Sequence, residues 1–412
     1  MRKIIIDGNS LTLDDLVKVS RYNYPIEIEK EALKRVKRSG QIVEDIFDMD
    51  KISCELGSHL SEEIVRAMML LKINILSKAY SDIRFEILEV LVKMINRGIH
   101  PIISEKGYPT NMTLTMLGAG EVIYKGKRVE SKEAMDKAGI KPLEYLSTEE
   151  GQFLINDAQC MMAIEAIKLY DAINLMKTAD ISLSLTMEAL SEVTCTMDEG
   201  ISLVKSNKGQ FNTVKNILNI LEGSEMITNQ DEHKTQDYYF LRSSPQIHGS
   251  SKDTLEDVKD KLEIAMNVET ESPIIFQEEG KVCNVDFLGD VLSDIGDIAS
   301  KRLEEMVNQS LGQRLPELLV NDEGSKQAIS ARKVIAKELL ASVQAIDLRG
   351  KKKLGLGTQA AYGIIRDHIP FINEERVVYE DINICEEIIK DNLLVEVVEE
   401  TIEQELSLFD EV

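Results

Sequence analysis

No proline occurs from Leu143 to Ser244, and no glycine lies between Gly151 and Gly200. Proline and glycine are the strongest helix breakers, so a hundred residues without the first and fifty without the second leave little but long helix. A continuous helix over 151–200 would be roughly 70 Å long at 1.5 Å per residue. Its polar residues Glu165, Lys168, Asp171, Asn174 and Lys177 recur every third position, between Met161, Met162, Ile164, Ile167, Leu169, Ile173, Leu175 and Met176. A narrow polar stripe on an otherwise apolar rod predicts burial on most sides, at the centre of a bundle or an oligomer. The patch Thr178-Ala179-Asp180-Ile181-Ser182 is the expected place for a cap or a bend.

Other segments follow the same period. A run from Ser61-Glu62-Glu63 to about Ile95, closed by Arg97-Gly98, reads as one amphipathic helix, and helical periodicity covers Asp253–Asn267, Asp286–Leu311, Lys326–Leu348 and Ile384–Leu408. On the last of these, Leu394, Val398, Ile402 and Leu406 share a face opposite Glu396, Glu399, Glu400 and Glu403, which read as a solvated acidic surface. Strand signals are confined to Lys3–Ile6, Glu121–Tyr124 and Pro273–Phe276. The expected architecture is mainly α, a long-helix bundle with small β-hairpins in the N-terminal part, divided into a mixed domain over 1–145 and a helical domain over 146–412.

The 72 acidic against 48 basic residues, a net charge of −24, repel phosphate backbones and anionic headgroups, so neither nucleic acid nor a membrane surface is expected as partner. Cys54, Cys160, Cys195, Cys283 and Cys385 form no Cys-x-x-Cys pair, and the histidines form no His-x-x-x-His or Glu-x-x-His pair. No metal centre is expected, and the scattered thiols fit a reducing, cytoplasmic setting. Leu354-Gly355-Leu356-Gly357 has half the spacing of a dinucleotide loop but reads better as a turn between helices. A Gly-x-Ser-x-Gly elbow and a Walker-type loop are absent from the sequence.

One stretch concentrates chemistry: Gln236-Asp237-Tyr238-Tyr239-Phe240-Leu241-Arg242-Ser243-Ser244-Pro245-Gln246-Ile247-His248-Gly249. Arg242 offers a two-pronged grip for a carboxylate, and Tyr239 a phenol able to carry a proton. A buried hydrogen-bond hub is the plainer reading of the same residues. The stretch resembles the Gln-Asp-x-Tyr-Ser-Leu-Arg-Cys-x-Pro-Gln-Val-His-Gly motif of the histidine and aromatic amino-acid ammonia-lyases. Ile6-Asp7-Gly8-Asn9-Ser10-Leu11-Thr12, the run Arg66 to Arg84, Glu150-Gly151 through Leu154-Ile155-Asn156, Glu338–Arg349 and Gly357-Thr358-Gln359-Ala360-Ala361-Tyr362 are similar to other parts of that family.

The resemblance implies an oligomeric helical lyase that expels ammonia from an α-amino acid, such as histidine. It also implies a methylidene-imidazolone electrophile made from an internal Ala-Ser-Gly. This chain has no Ala-Ser-Gly; its one Ser-Gly is Ser39-Gly40, and the matching region passes from Gly107 to Gly118 over too few residues. The tyrosine-bearing loop expected near Asp45–Leu56, the Gly-Gly-Asn-Phe-His-Gly segment expected after Lys281, and the Glu-Asn and Gln-Glu-Asp segment expected after Gly324 are also missing. Among retained positions, Asn156, Gln236, Tyr239 and Arg242 match family residues that contact the substrate or its ammonium, and His59 matches a family histidine.

The sequence therefore reads as an ammonia-lyase-like protein without the methylidene-imidazolone. In that reading catalysis is lost, and the chain serves as a scaffold, in a homo-oligomer or beside an active lyase subunit, with an amino acid as ligand. The charges on Glu165, Lys168 and Glu192 are expected to loosen the family's tetrameric packing. The alternative is an amino-acid ammonia-lyase of the histidine-to-urocanate type working by unconventional acid–base chemistry, with Tyr239 as base and Arg242 as carboxylate anchor.

Overall fold

The computed structural model describes residues 3–39, 58–79, 83–104, 110–155, 158–190, 208–227, 239–268, 277–278, 281–282, 294–303, 331–350, 353–373 and 378–409. The chain is mainly α-helical. It divides into two units, one of Met1–Tyr170 with Lys259–Asn284 and the other of Asp171–Val258 with Val285–Val412.

In the first unit, β1 (Ile4–Ile6) pairs in parallel with β2 (Ile26–Ile28). Parallel strands need a crossover, and α1 (Leu13–Ser20) supplies it, started by the Thr12 hydroxyl accepting from the Asp15 amide at 3.1 Å. After α2 (Lys30–Ser39), the single run expected from Ser61 to Ile95 is two helices, α3 (Glu62–Leu76) and α4 (Phe85–Arg97). The chain leaves α3 at Ser77, and Ala79 takes a left-handed φ of +62° that no helix continues through. Gly98 closes α4 in the left-handed conformation, as the Arg97-Gly98 signal predicts.

Helix α3 is buried from Val65 to Leu76, so its polar side chains must find partners inside. Arg66 donates to Val19 O, Ile95 O and His100 Nε2, and Lys72 Nζ donates to Phe153 O at 3.0 Å and Gln159 Oε1 at 3.1 Å. Burial and the Arg66 charge push His100 down to about 3, so its imidazole is neutral. Because Arg66 can only donate, the His100 proton sits on Nδ1. Glu62 Oε1 lies 2.8 Å from that nitrogen, outside hydrogen-bond geometry.

A three-stranded antiparallel sheet joins β3 (Ile99–Pro101), β4 (Glu121–Tyr124) and β5 (Lys127–Glu130), with the last two forming the expected hairpin. Between β3 and β4 lies the seven-residue α5 (Thr110–Met116), and α6 (Ser131–Ala138) and α7 (Thr148–Ile155) follow the sheet. A further pair, β6 (Gln277–Glu278) and β7 (Lys281–Val282), is antiparallel; the strand expected over Pro273–Phe276 lies outside the described residues.

Helix α8 (Ala158–Leu190) runs for 33 residues, about 50 Å at 1.5 Å per residue. It is not broken at Thr178–Ser182. The Thr178 hydroxyl donates to Asn174 O of its own helix, and the Asp180 carboxylate bonds side chains of other helices, so neither caps a new one. Every residue from Ala172 to Leu190 is buried, as the apolar stripe predicts. Glu165 is partly buried and Lys168 exposed, 3.8 Å apart, which spares both charges full desolvation; Glu192 lies outside the described residues.

The rest of the second unit comprises α9 (Lys208–Ile220), α10 (Tyr239–Arg242), α11 (Ser244–Met266), α12 (294–303), α13 (Ala331–Arg349), α14 (Leu356–His368), α15 (Tyr379–Lys390) and α16 (Leu393–Ile402), with α11 continuing into the first unit. The run expected as one helix from Ile384 to Leu408 is interrupted twice. Asn392 (φ +57°) separates α15 from α16, and Glu403 (φ +52°) ends α16, leaving a non-helical tail. The Gly355 turn is the N-terminus of α14, not a nucleotide loop. A side chain at Gly355 would meet Ile220 O and Leu221 Cα at 2.7 Å, so glycine is required there by the approach of α9.

Candidate functional site

The turn carrying Arg242 is a single helical turn of four residues, too short to hold itself. Residues C-terminal to it fix it in place. The buried Ser244 hydroxyl donates to Phe240 O at 2.6 Å and accepts from Arg302 Nη1 at 3.1 Å. Arg302, fully buried on α12, closes a two-pronged pair with Glu338 of α13. Glu338 also accepts from the Thr186 hydroxyl of α8 at 2.8 Å, and Thr186 meets Ser342 at 3.0 Å. The Gln246 amide, turned to satisfy its neighbours, donates to Arg242 O and Ser243 O. Arg242 itself is exposed.

One turn along α11 from Ser244 stands a second buried polar group. Asp180 Oδ1 lies 2.9 Å from His248 Nδ1, and Asp180 Oδ2 lies 2.6 Å from Lys252 Nζ and 2.8 Å from Asn216 Nδ2. None of the Asp180, His248 and Lys252 side chains reaches solvent. Burial alone would raise the Asp180 carboxyl, but Lys252, His248 and Asn216 outweigh it and hold it below the usual carboxylate range. Burial, reinforced by Arg302 and Lys252 against the pull of Asp180, lowers His248. The imidazole is then neutral, with Nδ1–H donating to Asp180 and Nε2 left as a buried lone pair without a partner. Asn216 continues the network outward by exchanging two hydrogen bonds with the Ser407 backbone.

Of the residues singled out in the sequence, Arg242 and Tyr239 share α10, the side chain of Tyr239 being outside the described residues. Asn156 and Gln236 also lie outside them. His59 is exposed and forms an isolated antiparallel bridge with Ser104 in the first unit, whereas Arg242 belongs to the second. Sequence reading missed Asp180, Lys252, Arg302 and Glu338 as a connected interior. The available signal was the presence of ionisable residues in helices otherwise apolar enough to be buried.

Among the described residues, local bonds join the two sides of the segment that resembles the family's electrophile-bearing region. Asn111 Nδ2 donates to Ile102 O at 2.6 Å and to Glu121 O at 3.0 Å, joining the ends of β3 and β4 across α5. Ala119 is followed directly by Gly120, with φ +73° and no room for a side chain, since an added Cβ would stand 2.3 Å from Asn111 Oδ1. No serine lies between an alanine and a glycine here or elsewhere in the chain, so the residues present do not fit a methylidene-imidazolone. A cleft of about 410 Å³ lined by Lys353–Leu356, Gln359, Ala360, Val397 and Thr401 contains none of the expected site residues.

The family model described as aromatic amino acid lyase matches residues 48–331. The chain is 35% identical to the histidine ammonia-lyase of Alkaliphilus oremlandii, with 98% of this chain and all of that protein covered. It is 34% identical to the histidine ammonia-lyase of Clostridium tetani, covering 98% and 99%. The first alignment spans 507 positions against 412 residues, so at least 95 of them have no residue in this chain. Among solved structures, the Trypanosoma cruzi histidine ammonia-lyase matches with a TM-score of 0.80 at 24% identity, covering 97% of this chain and 96% of that one. The tyrosine aminomutase of Streptomyces globisporus matches with a TM-score of 0.83 at 21% identity, covering 98% and 100%.

Proposed function

Because this chain belongs to the aromatic amino acid lyase family, we propose that it acts on an α-amino acid of the histidine type as a carbon–nitrogen lyase. The observation that carries this reading is similarity to proteins named histidine ammonia-lyase along nearly the full length of both chains. The exposed Arg242 on its pinned turn supports it, as an anchor for the amino-acid carboxylate through two parallel hydrogen bonds. Asn156, Gln236 and His59 are the further residues proposed to contact the amino acid or its ammonium group.

In this reaction the β-proton passes to the Tyr239 phenolate, the C–N electron pair leaves with ammonia, and a double bond forms between the two carbons. Removal of a weakly acidic proton is the demanding step, and general-base catalysis contributes about 10²–10⁴-fold. Without an Ala-Ser-Gly electrophile, turnover rests on Tyr239 as base and Arg242 as the carboxylate grip.

That same absence, with Asn111 tying Ile102 to Glu121, favours a second reading. Here the chain binds the amino acid without eliminating ammonia and acts as a scaffold, either with copies of itself or beside an active lyase subunit. Incubation with L-histidine, L-phenylalanine and L-tyrosine, followed by absorbance of the arylacrylate product, separates the two. Product formation abolished by Arg242→Ala supports the lyase; binding of L-histidine without product supports the scaffold.

A further inference from the structure

In the buried network behind α10, donor and acceptor chemistry alone determines which group gives each proton. A guanidinium only donates and a carboxylate only accepts. Arg302 therefore gives Nε and Nη2 to the two oxygens of Glu338 and Nη1 to Ser244 Oγ. Ser244 has a single hydroxyl proton, and with Arg302 occupying one lone pair that proton goes to Phe240 O. On the far side, Thr186 gives its proton to Glu338, so Ser342 donates to Thr186. The bonds link α13 and α8 through α12 to one carbonyl inside the turn that bears Tyr239 and Arg242: they converge on Glu338, which only accepts, and diverge from Arg302, which donates to Glu338 and to Ser244.

Arg302, Glu338 and Ser244 are all fully buried, so the network cannot exchange partners with solvent. Its end point is a backbone atom two residues from an exposed guanidinium. A buried hydrogen-bond chain with fixed donors and acceptors, ending on a four-residue turn, limits how far that turn can tilt, and tilt sets the aim of a two-pronged grip.

We infer that Ser244, anchored by Arg302 and Glu338, is a positioning residue that fixes the Tyr239–Arg242 turn for the amino-acid carboxylate. Its ligand half rests on the function proposed above; its structural half does not. Ser244→Ala removes the hydroxyl and leaves the Arg302–Glu338 pair, Ser244→Thr retains the hydroxyl, and Ser244→Cys replaces S244A should that variant not fold.

Two readouts test it: hydrogen–deuterium exchange of the 239–243 amides, and L-histidine affinity by calorimetry. S244A is expected to speed exchange in 239–243 and to weaken L-histidine binding, each by up to about tenfold, the upper end for one lost neutral hydrogen bond. Exchange in α8 and α13 is expected to stay unchanged, and Ser244→Thr to restore both values. Unchanged exchange in 239–243 overturns the inference. Faster exchange with unaltered affinity overturns the ligand role and leaves Ser244 structural. If Arg242→Ala binds L-histidine as the wild type does, or the wild type does not bind it, the proposed function falls and the ligand half falls with it; the exchange comparison still decides whether Ser244 holds the turn.

Discussion

Asp180 and His248, 68 residues apart in the chain, meet at 2.9 Å with neither side chain reaching solvent. The pair joins the middle of α8 to the start of α11, and the same carboxylate holds Lys252 one turn further along. The interior of the helical unit is thus cross-linked by charge as well as by apolar packing, and single substitutions there have large consequences.

Asp180→Asn leaves the Lys252 ammonium buried without its counter-charge. The expected loss is about 3–5 kcal/mol, as for other broken buried pairs. Adding Lys252→Met to Asp180→Asn should recover much of it, because no buried ammonium is then left without a counter-charge, while the amide oxygen introduced at position 180 can still accept within the network. Urea denaturation of the single and double variants measures the difference; equal losses in both would contradict an ion-pair origin.

His100 makes the fold acid-sensitive. Its folded-state pKa of about 3 lies below the ordinary 6.5, so between those values the unfolded chain binds a proton that the folded chain refuses. Stability therefore falls as pH drops below 6.5, by up to about 1.4 kcal/mol per pH unit from this group. His248, also lowered, adds in the same direction from the same upper limit. Denaturation midpoints measured at intervals from pH 7.5 to 4 should show the decline, and His100→Gln should flatten it.

Gly249 sits where α11 crosses α9. A Cβ there would stand 2.3 Å from the Gln210 amide nitrogen, and one at Gly209 would stand 2.1 Å from Gly249 O. Gly249→Ala must push the helices apart, at a cost of about 1–3 kcal/mol or more. A thermal midpoint unchanged by the substitution would show that the crossing is looser than these distances imply.

The tail after α16 is held by Asn216 through Ser407, by Asn212 through Leu408 O, and by Lys177, which pairs with Glu399 and Glu405. Asn216→Leu removes both Ser407 bonds and one donor to Asp180. Limited proteolysis should then cut the 403–409 segment well before the helices, whereas the wild-type tail resists.

The intact mass of the chain is expected to equal that of its unmodified sequence. A mass lighter by the water lost in cyclisation and dehydration would reveal a self-made electrophile and reinstate the family's usual chemistry.

The long buried helix, the Arg97-Gly98 stop, the β4–β5 hairpin and the turn at Gly355 were all legible in the sequence, since each depends on neighbours within a few residues. So were the missing Ala-Ser-Gly and the motif around Arg242, because covalent order is what a sequence records. Three breaks were not legible: the turn at Ala79, and those at Asn392 and Glu403. Their flanks keep helical periodicity, so the spacing of apolar residues gives no sign of the left-handed residues between them. The sequence shows Asp180, His248, Lys252, Arg302 and Glu338 as isolated charges in apolar helices. Tertiary structure alone decides which of them meet, because a charge removed from water must find its partner across space, and that partner is set by how the helices cross rather than by spacing along the chain.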